Sequence, residues 1–421
     1  MLCPLCRKLY SKQTVQLKID FYIEGLYRCM NQKPKYIYIA FDVFPSQKGA
    51  ATHINHCLKA LQTTFKTGLL ICLGNDDMPT FQFDADRQLY VYRWKEKVVN
   101  FLERTEKFQK AVTKMLQLPL CEHVKLVHFR DIWGGYPVLH KNGNYKTIFE
   151  VNAFQHIELP NRYPNISASV LDKIHKLERY CISNCDEIIT PSQVTQLFIK
   201  QYINETNKTI HVIPNGVTIY DLAPWTEKAV SPSPFLLYFG AMQKWQGIKT
   251  LFKAFKELLD LDVRLRICTS IPEKRTEIYK ALAVNTGIAD RIDWFYEQDK
   301  PTLASHIQAA RFTLAPLSAC DRNIIQGCNP LKIIESMAYG TPVIASNIPV
   351  VRELISDNDS GILVPPDRPE LLGRKMRKLL EYPEDLTRIG KNSKDKIEKN
   401  YLWLYQEKKM KAVYKNLLRK D

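Results

Sequence analysis

The sequence predicts an α/β protein with two doubly wound (Rossmann-like) domains that face each other across a cleft. Its 421 residues are more than one hydrophobic core usually serves. Apolar, β-branched runs alternate with longer amphipathic stretches, which is the pattern of parallel sheets covered by helices. The alternation is interrupted at 223–234, a polar segment in which Pro224, Pro232 and Pro234 are typical of an interdomain linker.

The predicted elements follow this rhythm along the chain. Strands are predicted before the linker at 35–43, 67–73, 88–92, 125–129, 146–151, 187–190 and 209–213, with helices at 51–65, 95–116, 168–183 and 193–202. After the linker, strands are predicted at 235–239, 263–268, 291–295, 312–316 and 342–345, with helices at 249–260, 274–286, 301–310 and 331–339. The domains are therefore expected at 35–222 and 235–395, with an N-terminal extension at 1–34 and a basic helix at 396–421.

Composition narrows the class of protein. Hydrophobic residues make up 45% and charged residues 25% of the chain, which are ordinary globular values. No apolar run approaches the roughly 18 residues of a membrane span, and the first 33 residues lack a signal-peptide core. The eleven cysteines are odd in number and dispersed, which favours reduced thiols. A cytoplasmic location is expected.

The net charge of +16 favours anionic partners. Residues 370–421 carry 15 basic and 8 acidic side chains in a segment of helical spacing. Two interpretations stay open for this segment: a solvated helix face, or peripheral contact with the inner face of an anionic membrane. Nucleic acid is not an expected partner, because no nucleic-acid-binding motif is present.

The sequence contains no convincing metal or dinucleotide motif. GxGxxG is absent, and Cys3 and Cys6 form a CxxC with no second ligand pair at zinc-finger spacing. Three DxD triplets, beginning at Asp84, Asp260 and Asp357, lie in polar, loop-like settings where chance occurrence is the simpler explanation. No cofactor and no metal are expected.

The most informative stretch is QGCNPLKIIESMAYGTPVIAS, at 326–346. Gly327, Asn329 and Pro330 predict a turn that starts a helix at Leu331, and helix starts favour phosphate. Lys332 and Glu335 then share one helix face, so a cation and a carboxylate can reach one ligand. The alternative is a surface ion pair.

Two segments of the first domain contain further candidates. Small residues at 49–52 allow close backbone approach to a phosphate, with His53 one turn further on, although His53 is equally consistent with a packed helix histidine. His128, Arg130 and Asp131 follow a predicted strand and face the cleft if the sheet is parallel, unless Arg130 and Asp131 pair with each other.

Here the sequence resembles the retaining, nucleotide-sugar-dependent glycosyltransferases of family 4 (glycosyl transferases group 1), which have the GT-B fold. Five segments match in order over 36–395: QKGAATHI (47–54); CDEIITPSQVTQLFI (185–199) with VIPNGV (212–217); YFGAMQKWQGIKTLFKAF (238–255); PLKIIESMAYGTPVIAS (330–346); and VRELI (351–355) with GILVPP (361–366). The resemblance implies an N-terminal acceptor-side domain, a C-terminal nucleotide-sugar-binding domain, and a final helix that packs back on the N-terminal domain.

The resemblance also implies site residues. Glu335 matches the glutamate that holds the nucleotide ribose, whereas the family's first glutamate falls at Gly327. The diphosphate-gripping Arg and Lys fall at Ala241 and Gln246, so Lys332, with Arg322 or Lys244, is the expected replacement. The donor-binding residues expected from the turn, the helix and these matches are Gly49, Ala50, Lys244, Arg322, Gly327, Cys328, Asn329, Leu331, Lys332 and Glu335.

On the acceptor side, Asn152 occupies the position of the family's active-site histidine, and an amide cannot act as a general base. The catalytic candidates are Asn152, Glu150, His53 and Asp131. Glu150, His156 and Glu158 are further candidates for acceptor contact, or else ordinary strand-end caps.

The function implied is transfer of a sugar, with retention, from a nucleoside diphosphate donor to a hydroxyl of a polysaccharide, glycolipid or small molecule. Two alternatives remain: a non-catalytic donor-binding or scaffold relative, and a nucleotide-sugar epimerase of the same architecture.

Overall fold

The computed structural model describes residues 32–46, 49–141, 143–203, 208–218 and 234–419. Nearly all of the predicted extension (1–34) and linker (223–234), together with Cys3 and Cys6, lie outside the described residues. Within these ranges the chain builds two α/β sheets, which confirms the predicted fold class. No helix in the described ranges is both long and apolar enough to traverse a bilayer.

The first sheet has eight strands in the order β3-β4-β2-β1-β5-β6-β7-β8. All neighbours pair in parallel except β3 and β4, which are antiparallel. The strands are β1 Tyr36–Val43, β2 Gly68–Leu73, β3 Phe81–Asp84, β4 Leu89–Trp94, β5 Leu126–Phe129, β6 Lys146–Glu150, β7 Glu187–Thr190 and β8 Ile210–Val212. The helices are α1 Gly49–Phe65, α2 Phe101–Gln117, α3 Ile132–Lys141, α4 Gln155–Arg162, α5 Ala168–Asn184 and α6 Gln193–Tyr202.

The second sheet has six parallel strands in the order β11-β10-β9-β12-β13-β14. They are β9 Phe235–Gly240, β10 Arg264–Thr269, β11 Ile292–Tyr296, β12 Thr313–Ala315, β13 Val343–Ser346 and β14 Ile362–Val364. The helices are α7 Ile248–Phe255, α8 Glu277–Thr286, α9 Lys300–Ala309, α10 Leu331–Ala338, α11 Pro349–Arg352, α12 Pro369–Glu381, α13 Glu384–Asn400 and α14 Trp403–Leu417. A five-residue π-helix, Arg322–Gln326, precedes α10.

Strand β1 shows how the first sheet is covered on both faces. Ile37 and Ile39 pack into the cluster on one face, and Tyr36 and Tyr38 pack into the cluster on the other. Because side chains alternate along a strand, a continuous apolar run such as YIYIA is what a doubly covered parallel strand requires. The helix α1 lies on the tyrosine face.

The last helix, α14, lies on that same face of the first sheet. Trp403, Met410 and Tyr414 belong to one buried cluster with Tyr38 and α1. The chain reaches this face through a bridge in which the Trp403 N–H donates to the carbonyl of Val217 at 2.9 Å. Residues from the C-terminal end of the chain therefore complete the core of the first sheet.

Several element boundaries differ from the sequence prediction. The helix predicted at 95–116 begins at Phe101, because the Asn100 side chain accepts a hydrogen bond from the Glu103 N–H and caps it. The basic helix predicted to begin at residue 396 begins at Trp403, and position 396 lies inside α13. The short elements β3, β14, α3, α4 and α11 were not predicted from the sequence pattern, because each is brief and lacks clear periodicity.

Candidate active site

Glu150 is the centre of a buried polar cluster at the carboxyl end of β6. It is 1% exposed, and its Oε2 accepts a hydrogen bond from the Tyr38 hydroxyl at 2.8 Å. Its Oε1 accepts hydrogen bonds from Arg130 and from the Asn152 amide. Strands β1, β5 and β6 are neighbours in the sheet, so their carboxyl ends bring these side chains together.

Two histidines complete the cluster. His53 Nε2, from α1, lies 3.2 Å from Glu150 Oε1, and His128 Nε2 lies 3.3 Å from Glu150 Oε2. On its other side, His128 Nδ1 lies 3.1 Å from the Tyr414 hydroxyl of α14. The final helix therefore contacts the cluster directly, on the face of the sheet where α1 also lies.

The ionisation of Glu150 follows from these neighbours. Burial alone would raise the pKa of Glu150, but the charges of His53 and Arg130 outweigh burial and hold that pKa well below its usual range. Burial lowers the pKa of His128. The cluster thus contains a carboxylate whose charge is balanced by a guanidinium, as a buried charge requires.

A pair of asparagines connects this cluster to the second sheet. His53 Nδ1 lies 2.8 Å from Asn215 Oδ1, so the Nδ1 proton points at an oxygen that can only accept. The Asn215 N–H donates to Asn329 Oδ1 at 3.0 Å, and Asn215 Nδ2 donates to the Asn329 carbonyl at 3.2 Å. The predicted residues His53 and Asn329 therefore meet through Asn215.

Lys332 lies in the first turn of α10, which begins at Leu331 as predicted. Its ammonium donates to Gln246 Oε1 at 2.6 Å and lies 4.1 Å from the centre of the Tyr238 ring. A Cβ placed on Gly240 would be 3.7 Å from the same Nζ. Burial lowers the pKa of Lys332 to about 7. The Lys332 ammonium therefore lies against the loop after β9, in which Ala241 and Gln246 stand at the positions of the resembled family's arginine and lysine.

Glu335 is half-buried one turn further along α10. Its charge acts on Lys332 in the sense that favours the ammonium form. This places a carboxylate and a cation on one helix face, the arrangement that the spacing predicts. The two residues can therefore contact different parts of one extended ligand.

Gly327 cannot carry the carboxylate that the family places there. Its φ is +81°, which disfavours any side chain. A Cβ would lie 2.7 Å from Thr195 Oγ1 and 3.0 Å from Ser192 Oγ, at the start of α6. A glutamate here would therefore require the segment to move away from the start of α6.

Arg322 has a different partner from the one predicted. Its Nε donates to Glu158 Oε1 at 2.8 Å, and Gln326 Nε2 donates to the same oxygen at 3.0 Å. Gln326 Oε1 in turn accepts from the Phe154 N–H at 2.9 Å. These bonds hold α4 against the π-helix, so Arg322 is paired with a carboxylate instead of being left available for phosphate.

Asp131 also differs from its predicted catalytic role. Its carboxylate accepts hydrogen bonds from the Phe41 N–H at 2.6 Å and the Gly134 N–H at 2.8 Å. Burial raises the pKa of Asp131 to about 6. Asp131 therefore fixes the end of β1 and the start of α3, while Arg130 pairs with Asp42 and Glu150.

The other predicted residues are distributed around the cleft. Gly49 is already inside α1, not in a loop, and a Cβ there would lie 2.6 Å from Leu331 Cδ1. Ala50 follows it in the same turn. Lys244 is exposed in a short 3-10 helix. Cys328 lies near Arg322, and burial raises the pKa of its thiol.

Two side chains considered for acceptor contact have structural partners. His156 Nδ1 bonds to Glu178 Oε2, and the ring stacks on Tyr202. Glu158 is bonded as described above. Of the catalytic and acceptor candidates in the first domain, Glu150, Asn152 and His53 are therefore the ones that the structure places in the central cluster.

One group of side chains has ligand atoms close enough for a metal ion. In the described part of the chain, His53, Cys57 and Glu150 each offer one ligand atom, and these atoms lie within 4.8 Å of one another. Burial raises the pKa of Cys57 well above its ordinary value, which disfavours the thiolate that a metal needs. Arg130 already balances the charge of Glu150. The group therefore fits a proton-bearing polar cluster better than a metal centre.

Several residues of this site were missed from the sequence. Asn215 lies in the segment 212–217, which was matched as a motif without a role for its asparagine. Tyr38 looks like a core residue because it lies in an apolar run, and Cys57 because it lies on the apolar side of an amphipathic helix. Their hydrogen bonds to Glu150 depend on tertiary contacts that no local pattern reveals.

Comparison with known proteins gives a family match for the second sheet. Residues 223–396 match the family model described as "Glycosyl transferases group 1". D-inositol 3-phosphate glycosyltransferase of Corynebacterium efficiens is 24% identical over 253 residues, which cover 56% of this chain and 58% of the relative. The chain thus spans little more than half the length of the curated relatives that it matches.

Solved structures match almost the whole chain. Sucrose-phosphate synthase from Thermosynechococcus elongatus superposes with a TM-score of 0.76 at 18% identity, covering 93% of this chain and 100% of the other. Anabaena HepE in complex with UDP-glucose superposes with a TM-score of 0.66 at 13% identity, covering 90% and 99%. At these identities the likeness establishes the fold, which is GT-B.

Proposed function

We propose that this chain, whose residues 223–396 form a domain of the glycosyl transferases group 1 family, is a glycosyltransferase that uses a nucleoside diphosphate sugar. The reaction moves the sugar to a hydroxyl acceptor with retention of configuration. The family assignment covers the donor-side domain, and the acceptor side is inferred from its geometry.

The observation that carries the proposal is the hydrogen-bonded connection between the two sheets. Asn329 precedes the helix that carries Lys332 and Glu335, and through Asn215 and His53 it is connected to Glu150. A donor held by α10 is therefore presented toward the Glu150 cluster. Two half-sites held together in this way can position a donor and an acceptor for direct transfer.

On the donor side, Lys332 supplies positive charge to the diphosphate and Glu335 accepts hydrogen bonds from the ribose hydroxyls. A ligand phosphate can take the place of Gln246 at the Lys332 ammonium, because it is the stronger acceptor. HepE was solved with UDP-glucose, so uridine donors are the first to test.

On the acceptor side, Asn152 can orient a sugar hydroxyl, and Glu150 fixes the Asn152 amide. Neither the amide nor a carboxylate already bonded to Arg130 is suited to remove a proton at neutral pH. We therefore assign the acceptor proton to the leaving diphosphate, on the face from which the donor departs. Retention then needs no protein nucleophile.

The test is a screen of nucleotide sugars with the full chain. An active transferase releases nucleoside diphosphate slowly in water and faster with an acceptor, and NMR of the product shows the anomeric configuration. Chelator is included in one arm, where activity should persist because Lys332 and helix N-termini neutralise the phosphates. An inverted product, or strict dependence on Mg²⁺ or Mn²⁺, would contradict the mechanism.

One observation favours a second candidate, a donor-binding protein without transfer activity. Gly327 has neither the side chain nor the space for a carboxylate that reads the donor sugar. In that case the donor binds, raises the melting temperature and stays intact. The same screen distinguishes the two, because thermal shift reports binding and diphosphate release reports chemistry.

Peripheral contact with an anionic membrane is proposed for α14. Lys408, Lys409 and Lys415 are exposed on this helix, and Leu404 is 67% exposed one turn before Lys408. The neighbouring Tyr405 is also exposed, although the rest of the apolar side of this helix packs on the first sheet. The helix therefore presents apolar and basic groups together, as an interfacial helix does. The cytoplasmic location stays a prediction.

A further inference from the structure

A cavity of 310 Å³ lies beside the second half of α1, next to the amino-terminal ends of β1 and β4. Five polar side chains line it: Tyr36, Asn55, Lys59, Gln62 and Arg87. Two leucines complete the wall. None of these residues belongs to the candidate active site.

The cavity lies at the opposite end of β1 from the cleft. Strand β1 pairs Ile39 with Phe129, and Phe129 pairs with Phe149, so Glu150 is level with Ala40, four steps of about 3.3 Å, or about 13 Å, along the strand from Tyr36. Asn55, Lys59 and Gln62 lie in the second half of α1, whose first turn reaches Leu331. Tyr38 and Cys57, which are buried and bonded to Glu150, lie on the same strand and helix as the cavity residues.

Tyr36 provides the observation that points to a ligand. Its side chain is 0% exposed, and among the described residues its hydroxyl has no hydrogen-bond partner. Burial raises the pKa of the hydroxyl, and the charge of Arg87 acts in the opposite direction. A buried phenol beside a cavity is normally satisfied, so an acceptor in the cavity is the expected partner.

The two cations of the cavity are loosely paired. Lys59 Nζ lies 3.7 Å from Glu407, and Arg87 Nε lies 3.6 Å from Asp84 Oδ2. Both distances exceed a good hydrogen bond, so each cation can turn to a ligand at little cost. The Gln62 amide already donates one N–H to the Asp86 carbonyl at 3.2 Å and has a second N–H. With the Asn55 amide, the wall offers hydrogen-bond donors from two different parts of the first domain.

We propose that this cavity is a second ligand site and that it binds a small polyol carrying a phosphate monoester, such as a sugar phosphate. A phosphate dianion offers only acceptors, which matches the ammonium, guanidinium and phenol, and the amides can contact hydroxyls. The volume is at the lower end of ligand sites, about 300–1,000 Å³, which limits the ligand to about one ring. The proposal does not depend on the glycosyltransferase assignment.

The test is calorimetric titration of the full chain with glucose 6-phosphate, with glucose and inorganic phosphate titrated in parallel. Saturating uridine diphosphate is present, and the titration is repeated in Lys332→Ala, so that phosphate binding in the cleft is excluded. Glucose 6-phosphate should bind more tightly than either probe. Arg87→Ala and Lys59→Ala should each weaken it at least about tenfold, and Tyr36→Phe about fivefold.

The matched control is Lys249→Ala, an exposed lysine on α7, which should leave the affinity unchanged. Three results would overturn the proposal. The first is no binding of glucose 6-phosphate up to about 10 mM. The second is binding that is lost in Lys332→Ala but retained in Arg87→Ala and Lys59→Ala. The third is equal affinity for glucose and glucose 6-phosphate. Circular dichroism of each variant shows whether a loss comes from misfolding, and Tyr36→Phe, which removes one atom, tests the site if an alanine variant misfolds.

Discussion

Lys332 donates a hydrogen bond to Gln246 across the strand–loop that opens the second sheet, at 2.6 Å. Gln246 stands where the resembled family carries a diphosphate-binding lysine. The ammonium beside this loop belongs to the helix α10 instead. We therefore expect Lys332 to supply the positive charge for the donor diphosphate.

Replacing Lys332 with alanine should weaken nucleoside diphosphate binding much more than nucleoside binding. The ammonium contacts the phosphates and not the base, and a charge-assisted hydrogen bond is worth about 1.5–3 kcal/mol, or about 10- to 150-fold in affinity. Titration calorimetry at low and high salt measures both ligands, and salt should shrink the difference. Lys378→Ala, an exposed lysine on α12, is the control. Equal weakening of the two ligands would mean that Lys332 only supports the helix.

Diphosphate affinity should fall as pH rises above 7. Burial lowers the pKa of Lys332 to about 7 from an ordinary 10.5, so above pH 7 the free site is mostly neutral and must take up a proton to bind phosphate. The expected slope approaches about tenfold per pH unit. Calorimetry in two buffers of different ionisation enthalpy measures the proton uptake.

The matched variant is Lys332→Arg, whose guanidinium stays charged throughout this range. The affinity of this variant for nucleoside diphosphate should not change between pH 7 and 9, and binding should take up no proton. The same shift predicts that folding stability rises with pH from 7 to 10.5, because only the unfolded chain holds the proton there. A wild-type affinity independent of pH would place Lys332 outside the phosphate site.

Glu335→Gln should reduce donor affinity by about 10- to 150-fold, since it removes a charged acceptor for the ribose hydroxyls while keeping size. Equilibrium binding of a uridine diphosphate sugar measures the effect. Replacing the ribose of the donor by deoxyribose should weaken binding to the wild type, but should weaken binding to the variant only slightly. Glu384→Gln, an exposed glutamate on α13, serves as control. An unchanged dissociation constant would remove Glu335 from the site.

The Glu150 cluster can be tested through stability. Glu150→Gln leaves Arg130 and the two histidines without their carboxylate in a buried site, which typically costs about 3–5 kcal/mol. Urea unfolding followed by circular dichroism measures the loss, against less than about 0.5 kcal/mol for Glu384→Gln. A loss of unfolding free energy below about 1 kcal/mol would show that water or a bound proton balances the Arg130 charge without the Glu150 carboxylate.

The sequence predicts part of this site because some of its signals are local. Pro330 and the apolar spacing that follows it place the start of α10, and hence Lys332 and Glu335 on one face. By contrast, Asn215 and Asn329 are 114 residues apart, and Phe154 and Gln326 are 172 residues apart. Contacts of this kind depend on how two sheets dock, and no periodicity within either segment encodes them.

In the fold, too, local patterns are predictable from the sequence and long-range contacts are not. The β1 run predicts a strand buried on both faces, since five consecutive apolar residues leave no solvent side. The helix α14 has apolar residues on more than one face, so spacing alone does not fix which of them turn inward. Trp403 and Tyr414 pack, whereas Leu404 does not.

Membrane contact should weaken when basic side chains of α14 are neutralised, among them the exposed Lys408 and Lys409 and the partly buried Lys411. Replacing Lys408, Lys409 and Lys411 with glutamine removes about 1 kcal/mol of attraction each at an anionic surface. Co-sedimentation with phosphatidylserine vesicles should fall, and soluble donor hydrolysis should not change. The control replaces three other exposed lysines by glutamine: Lys249 and Lys253 of α7, and Lys256, which directly follows it. If the wild type does not sediment with these vesicles at low salt, α14 has no membrane role.

The position of α14 against the first sheet has a consequence for synthesis on the ribosome. Tyr414 and Trp403 are buried beside Tyr38 and His128, so the first half of the chain emerges long before the side chains that close its core. Until α14 is made, the part of the tyrosine face and of α1 that it covers stays exposed, and exposed apolar surface of this kind attracts chaperones or aggregates. The core of the first domain is therefore completed only after the second domain has been synthesised.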